Sequence, residues 1–216
     1  MTLNGKKASL GDRALAGRDS LAVDGIELEP EPEPKYVALN KPAGVVSTVT
    51  DPQGRPTVLD MLRDNRVDGP RMFPVGRLDM DSTGLILLTN DGFLAHRLMH
   101  PSFGVPREYM VEVEPVPRRE DLSRLRKGLV LEDGETGPAR VSLVGSHEGR
   151  GQVDMVLHAG KKRQIRRSFD LLGYKVVSLN RVRIGNLGLG NLRPGTAREL
   201  EPNEVRELYR QTGLEA

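Results

Sequence analysis

A chain of 216 residues suits one large domain, or one domain with a small appendage. It contains no cysteine, which excludes disulfides, zinc ribbons and thiolate nucleophiles, so covalent chemistry falls to Asp, Glu, Ser, Thr, Tyr, Lys or His. Net charge is only +2, yet residues 1–34 carry seven acidic against four basic side chains, and residues 161–183 carry eight basic against one acidic. A local basic stripe of this kind is either one polyanion-binding face or a solvated helix face.

In chain order, the first feature is Glu29-Pro30-Glu31-Pro32-Glu33-Pro34, which reads as an extended, charged linker because alternating proline removes donors and disfavours helix. It separates a fragment over 1–29 from the bulk at 36–216, with the Glu/Pro linker at 30–35. Strands are expected over 35–40, 84–90, 107–114, 139–145, 152–158 and 175–184, all rich in Val, Leu and Ile. Thr57 caps a helix over 58–63, and Asn90 precedes one that stops before Pro101. A helix holding Leu122 and Leu125 ends at Gly128, and Pro202 and Asn203 open the last. Strands that follow one another without helices between them imply an α+β fold: a mixed, largely antiparallel sheet with short flanking helices. No apolar run approaches the roughly 20 residues of a membrane helix, and no signal peptide is evident, so a cytoplasmic protein is expected.

Three stretches carry chemistry. The first is Phe73-Pro74-Val75-Gly76-Arg77-Leu78-Asp79-Met80-Asp81-Ser82-Thr83-Gly84, a loop with Arg and Asp that feeds a nearly all-apolar strand. Asp79 and Asp81 are then site residues, or they only satisfy turn backbone. The second is Arg107-Glu108-Tyr109-Met110-Val111-Glu112-Val113, where period two puts Tyr109 on the apolar face with Val111 and Val113. Tyr109 either stacks on a nucleobase or is a core tyrosine. In the third, His158 to Gly173, helical spacing buries Ile165, Phe169 and Leu172. Arg166 lies beside that stripe and can reach inward to a carboxylate, while Lys162, Arg163 and Arg167 point to solvent or phosphate. No Walker loop or dinucleotide fingerprint is present; Gly185, Gly188 and Gly190 read as a turn. His96 and His100 have the spacing of a zinc pair but no third ligand, so no metal and no cofactor are expected.

These segments, in this order, resemble the RsuA/RluB-type family of bacterial ribosomal RNA pseudouridine synthases, most closely the branch acting on large-subunit (23S) RNA. Leu39-Asn40-Lys41-Pro42-Ala43-Gly44 resembles the opening motif, Gly76-Arg77-Leu78-Asp79 through Asn90-Asp91-Gly92 the signature, and Gln164-Ile165-Arg166-Arg167 the third motif. The resemblance implies the pseudouridine synthase fold over 36–216 and a partial S4-like RNA-binding fragment over 1–29. It also implies isomerisation of one ribosomal uridine by a monomer without a cofactor. In that reading Asp79 is the catalytic carboxylate, Arg166 its ionic partner, and Tyr109 stacks on the uracil. Arg77 fills the gap left by the flipped base, and Lys41, Lys162, Arg163 and Arg167 contact RNA. The alternatives are a non-catalytic ribosome-assembly protein, or a glycosidase using Asp79 with Asp81 or Asp91. So few aromatics, four Phe and four Tyr, argue for recognition by RNA shape and phosphate rather than by a stacking track.

Overall fold

The computed structural model describes residues 1–15, 18–28 and 32–214, and the chain divides into two compact units, Met1–Pro34 and Lys35–Ala216. Residues 29–31, the first half of the acidic proline run, lie outside the described residues. The first unit is an antiparallel sheet of β1 (Thr2–Leu3), β2 (Lys6–Lys7), β3 (Leu21–Val23) and β4 (Ile26–Glu27), in the order β2-β1-β3-β4. Asn4-Gly5 and Asp24-Gly25 make its two tight turns. All four residues have positive φ, the backbone that a two-residue hairpin demands. Asn4 also donates to Asp19 at 2.9 Å and accepts from the Ser20 N–H at 2.8 Å.

The second unit runs β5 (Tyr36–Lys41), α1 (Val58–Asp64), β6 (Phe73–Pro74), β7 (Thr83–Thr89), α2 (Gly92–Met99) and a 3₁₀ turn at Pro101–Phe103. It continues with β8 (Arg107–Glu114), α3 (Arg119–Lys127), β9 (Val130–Leu131), β10 (Gly134–Glu135), β11 (Arg140–His147), β12 (Arg150–Leu157) and α4 (Gln164–Leu171). It ends with β13 (Lys175–Ile184), β14 (Leu187–Gly188), β15 (Ala197–Glu199) and α5 (Pro202–Gln211). The main sheet has the order β11-β12-β8-β13-β7-β5-β15, with β6 on β7 and β14 on β13. Among the described residues every strand pairing is antiparallel except that of β7 with β13. This is the mixed α+β sheet that the strand pattern implies.

The centre of β7, Leu85 to Leu88, is wholly apolar because both of its faces are covered. Leu85 and Leu87 pack toward α2 and α5, and Ile86 and Leu88 toward α1. A third apolar cluster joins β8, β11 and β12 to α3 and α4 around Val111, Val153 and Phe169. At the parallel crossing Gly84 has φ +104°, and a Cβ there would sit 2.3 Å from both the Arg181 carbonyl and Asn180 Oδ1. Only glycine lets β7 and β13 approach this closely. Helix caps follow side-chain chemistry. Thr57 caps α1 in a reciprocal pair with Asp60. Asp91 caps α2, accepting from the Leu94 N–H at 3.0 Å, and Asn90 before it takes the Lys35 N–H. Among the described residues no helix is long and apolar enough to cross a membrane.

Candidate active site

The loop between β6 and β7 is fixed on both sides of Asp79 by hydrogen bonds to its backbone. On one side the buried Ser47 hydroxyl donates to the Leu78 carbonyl (2.9 Å) and lies 3.1 Å from the Leu78 N–H that it accepts. On the other, the Gly44 N–H donates to the Met80 carbonyl at 2.8 Å, and Ser82 closes a turn onto the Asp79 carbonyl at 3.0 Å. Lys41 lies beneath. It is fully buried, and its ammonium donates to the carbonyls of Pro42 (2.9 Å) and Val45 (2.8 Å), with Met80 at 3.5 Å. Burial pushes that ammonium down to about 8, against the opposing charges of Asp81 and Asp79. Lys41 is therefore an internal brace and not the RNA contact expected from the motif. It closes a strand buried on both faces, so its amine finds loop carbonyls before it finds solvent.

Asp79 opens into a cleft of about 480 Å³ that also receives Arg77, Tyr109, Lys162 and Arg163. Its nearest cation is Arg163, with Nη1 3.7 Å from Oδ2. The Arg163 fork grips Asp81 at 3.2 and 3.1 Å. Arg166 instead donates to the Asp81 carbonyl at 3.0 Å, lies 3.4 Å from the Asp81 carboxylate, and reaches the Ser82 hydroxyl and the Val176 carbonyl at 3.5 Å. Arg166 thus reaches inward to a carboxylate as expected, but to Asp81 and not Asp79, and Arg163, expected to face solvent or phosphate, is the cation nearer Asp79. The reason lies in the helix start. α4 begins at Gln164, and Arg163 is its cap residue in the left-handed region (φ 51°), so helical spacing does not govern where it points. Burial pushes the Asp81 carboxyl up, but the Arg163 hydrogen bonds and the charges of Arg166 and Arg163 outweigh it, holding it below the usual range.

Arg167 also departs from expectation. Its fork closes on Asp133 at 2.9 and 3.0 Å, and Lys161 donates to the Asp133 carbonyl. Lys162 and Arg77 are exposed on the cleft rim. Tyr109 is half-buried, packed on the cluster of β8, β12 and α4 and lining the cleft. Two guanidinium groups that the motifs did not single out share this wall. Arg181 pairs with Tyr109 in strand register, is 2% exposed, and donates from Nε to the Leu85 carbonyl at 2.7 Å. Arg107 donates to the Leu98 carbonyl at 2.8 Å. Arg107 is two residues from Tyr109, hence on the same strand face, and an arginine on an apolar face was the available signal.

The arrangement offers one carboxylate with a counter-ion, a tyrosine on the cleft wall, and apolar walls from Leu157, Ile165 and Leu179. Among the described residues no second carboxylate is left free in the cleft for glycoside hydrolysis. Asp81 is engaged by Arg163 and Arg166, and Asp91 caps α2 while accepting from Tyr36 (2.9 Å) and Tyr209. Among the described residues no group of three or more His, Asp or Glu is placed to hold a metal ion.

Residues 35–171 match the family described as RNA pseudouridylate synthase. The chain belongs to that family. The ribosomal large subunit pseudouridine synthase B of Bacillus subtilis is 38% identical over 208 residues, covering 95% of this chain and 84% of the relative. An uncharacterized RNA pseudouridine synthase of Mycobacterium leprae is 43% identical over 206 residues, covering 95% and 80%. A solved pseudouridylate synthase structure matches with a TM-score of 0.74 at 30% identity, over 96% of this chain and 87% of that one. Family membership also accounts for the form of the sheet, since the pseudouridylate synthase structure shares it across nearly the whole chain.

Proposed function

We propose that this chain isomerises a uridine of ribosomal RNA, in the large subunit, to pseudouridine with Asp79 as the essential carboxylate. The observation that carries this reading is Asp79 in a cleft with Tyr109, beside a guanidinium 3.7 Å away, in a member of the RNA pseudouridylate synthase family. The relative named for the large subunit supports the choice of RNA. In the reaction the N1–C1′ bond breaks, the uracil turns, and C5 joins C1′. The C5 proton leaves to solvent and N1 gains one, so atoms balance without redox partner or co-substrate. One carboxylate suffices because the base never departs, whereas a glycosidase needs a second acid for its leaving group. Asp79 either adds to the sugar or removes a sugar proton.

Arg163 serves Asp79 as counter-ion, and Arg166 acts one step back by securing Asp81 and the loop. Tyr109 stacks on the uracil and relays the C5 proton to solvent, its hydroxyl giving up its own proton as it takes the new one. Flipping the uridine out costs a few kcal/mol, which Arg77 offsets by entering the vacated stack. Lys162 takes a phosphate at the rim. Residues 36–216 form the catalytic part of a cytoplasmic monomer, and residues 1–29 are a partial S4-like RNA-binding fragment. The test is tritium release from large-subunit transcripts labelled at uridine C5. Wild type is expected to release tritium, and Asp79→Asn to bind the RNA without release. Turnover by Asp79→Asn within about tenfold of wild type, about 1.4 kcal/mol in barrier, sinks the assignment.

A further inference from the structure

Two of the chain's four phenylalanines and two of its four histidines lie in one stretch, 93–103, that the proposed chemistry leaves unused. Phe93 is 83% exposed and Phe103 37%, and His96 and His100 are exposed as well. Rings of this size are normally drawn into a core, so two of them on one wet face mark a surface built to be covered. The spacing of Phe93, His96 and Arg97 puts all three on one side of α2, and His100, the residue that caps it, lies against His96. The rings are also ordered against one another. His96 and His100 stack with centroids 5.3 Å apart and planes 29° apart. Phe103 meets them edge-on at 6.1 and 6.2 Å. The Arg97 guanidinium lies over the Phe103 ring at 5.2 Å, held there by the carbonyls of Thr212 and Gly213.

This face continues the cleft. Met99 and Pro101, the neighbours of His100 on either side, both line the cleft that holds Asp79, and Arg107 on the cleft wall donates to the carbonyls of Leu98 and Met99. We infer that the α2 face and the 3₁₀ turn after it form a stacking subsite for an unpaired nucleobase flanking the uridine in the cleft. Imidazole, phenyl and guanidinium planes are the surfaces on which splayed RNA bases stack, and they serve any base because every base has a π face. Two phenylalanines do not make a track along a strand, but a single flanking base needs no more than this. The assignment rests on the RNA reading of the cleft.

Filter binding of a large-subunit ribosomal RNA transcript to the full chain, at fixed salt, tests the subsite. The double variant His96→Ala/His100→Ala alters exposed side chains and also removes the His100 bonds to Ser102, a loss that His96→Phe/His100→Phe shares; its melting temperature reports whether it folds. Its Kd is expected to rise about tenfold, the order of one lost base stack, while His96→Phe/His100→Phe, which keeps two rings, stays within about threefold of wild type. An alanine double variant within about twofold of wild type overturns the inference and leaves the face to a protein partner. A phenylalanine variant as weak as the alanine one also overturns it. The two readings fail separately. A wild type that binds the transcript but releases no tritium sinks the catalytic proposal while the Kd comparison still decides the subsite, and a wild type that binds no RNA sinks both.

Discussion

At the scale of single residues, the site turns on which arginine faces which carboxylate. Arg163 spans Asp79 and Asp81, whereas Arg166 is secured by a loop carbonyl, the Asp81 carboxylate and the Ser82 hydroxyl. Removing Arg163 deprives Asp79 of its neighbouring cation at the reacting position. Removing Arg166 leaves the Asp81 loop less anchored without touching Asp79. Arg163→Met is therefore expected to lower saturating turnover at least about tenfold, or 1.4 kcal/mol in barrier, with a modest effect on melting. Arg166→Met is expected to act mainly through a lower melting temperature. Tritium release and thermal melts on both variants decide the matter: full turnover in Arg163→Met refutes this division of labour. Tyr109 packs on the core and also borders the cleft. A place in the core therefore does not bar it from the stacking role proposed for it.

At the scale of elements, α5 is held to the catalytic sheet by a polar cluster outside the cleft. Tyr36 on β5 and Tyr209 on α5 both donate to Asp91, the cap of α2, and their hydroxyls lie 2.8 Å apart. Burial, then the contacts with Tyr209 and Asp91, push the Tyr36 hydroxyl well above its ordinary range. Burial also pushes the Asp91 carboxyl up, but hydrogen bonds from Tyr209, the Leu94 N–H and Tyr36 outweigh it, and the group titrates below its ordinary value of 3.8. A carboxyl depressed in the fold adds stability that is present above its unfolded pKa and lost as pH falls through the folded one. Asp91→Asn is accordingly expected to be less stable at neutral pH. Its stability should also fall less than that of wild type between about pH 4 and pH 2. Urea melts across that range provide the measurement, and parallel acid limbs in the two proteins argue against the linkage.

Across the whole molecule, most of the basic stripe read from 161–183 is already spent inside the protein. Arg163 and Arg166 hold the Asp79 loop, Arg167 and Lys161 hold Asp133, Arg183 pairs with Glu108 at 2.9 Å, and Arg181 is buried. A count of charges therefore overstates the phosphate contacts the surface can make, because a paired guanidinium releases fewer counter-ions than a free one. Lys162 stands exposed on the cleft rim. For transcript binding, Lys162→Ala is expected to weaken affinity evenly across RNA sequences and reduce the slope of log Kd against log salt by about one. Arg167→Ala is expected to leave that slope unchanged. The reverse pattern would place the phosphate at Arg167.

The sequence alone determined the six long strands of the main sheet, the helices and the signature loop, but not the short strands of two or three residues. Apolar alternation, turn residues and caps are local properties, and they set β8 and β13 to their end residues. The Gly76–Asp79 segment and the family were legible for the same reason, since a long motif is read along the chain. Tertiary structure decided everything that depends on what lies across the sheet. The parallel crossing of β7 and β13 explains Gly84, and the two covered faces of β5 turn Lys41 inward. The start of α4 one residue after Arg163 gives Asp79 its cation. The ring cluster on α2 needed the structure too: the i, i+4 spacing of the histidines says nothing of Phe103 or of the cleft rim beside them, and the inferred stacking subsite depends on both. Side-chain pairing is a long-range choice made by packing, and a sequence read one segment at a time carries no distance between segments.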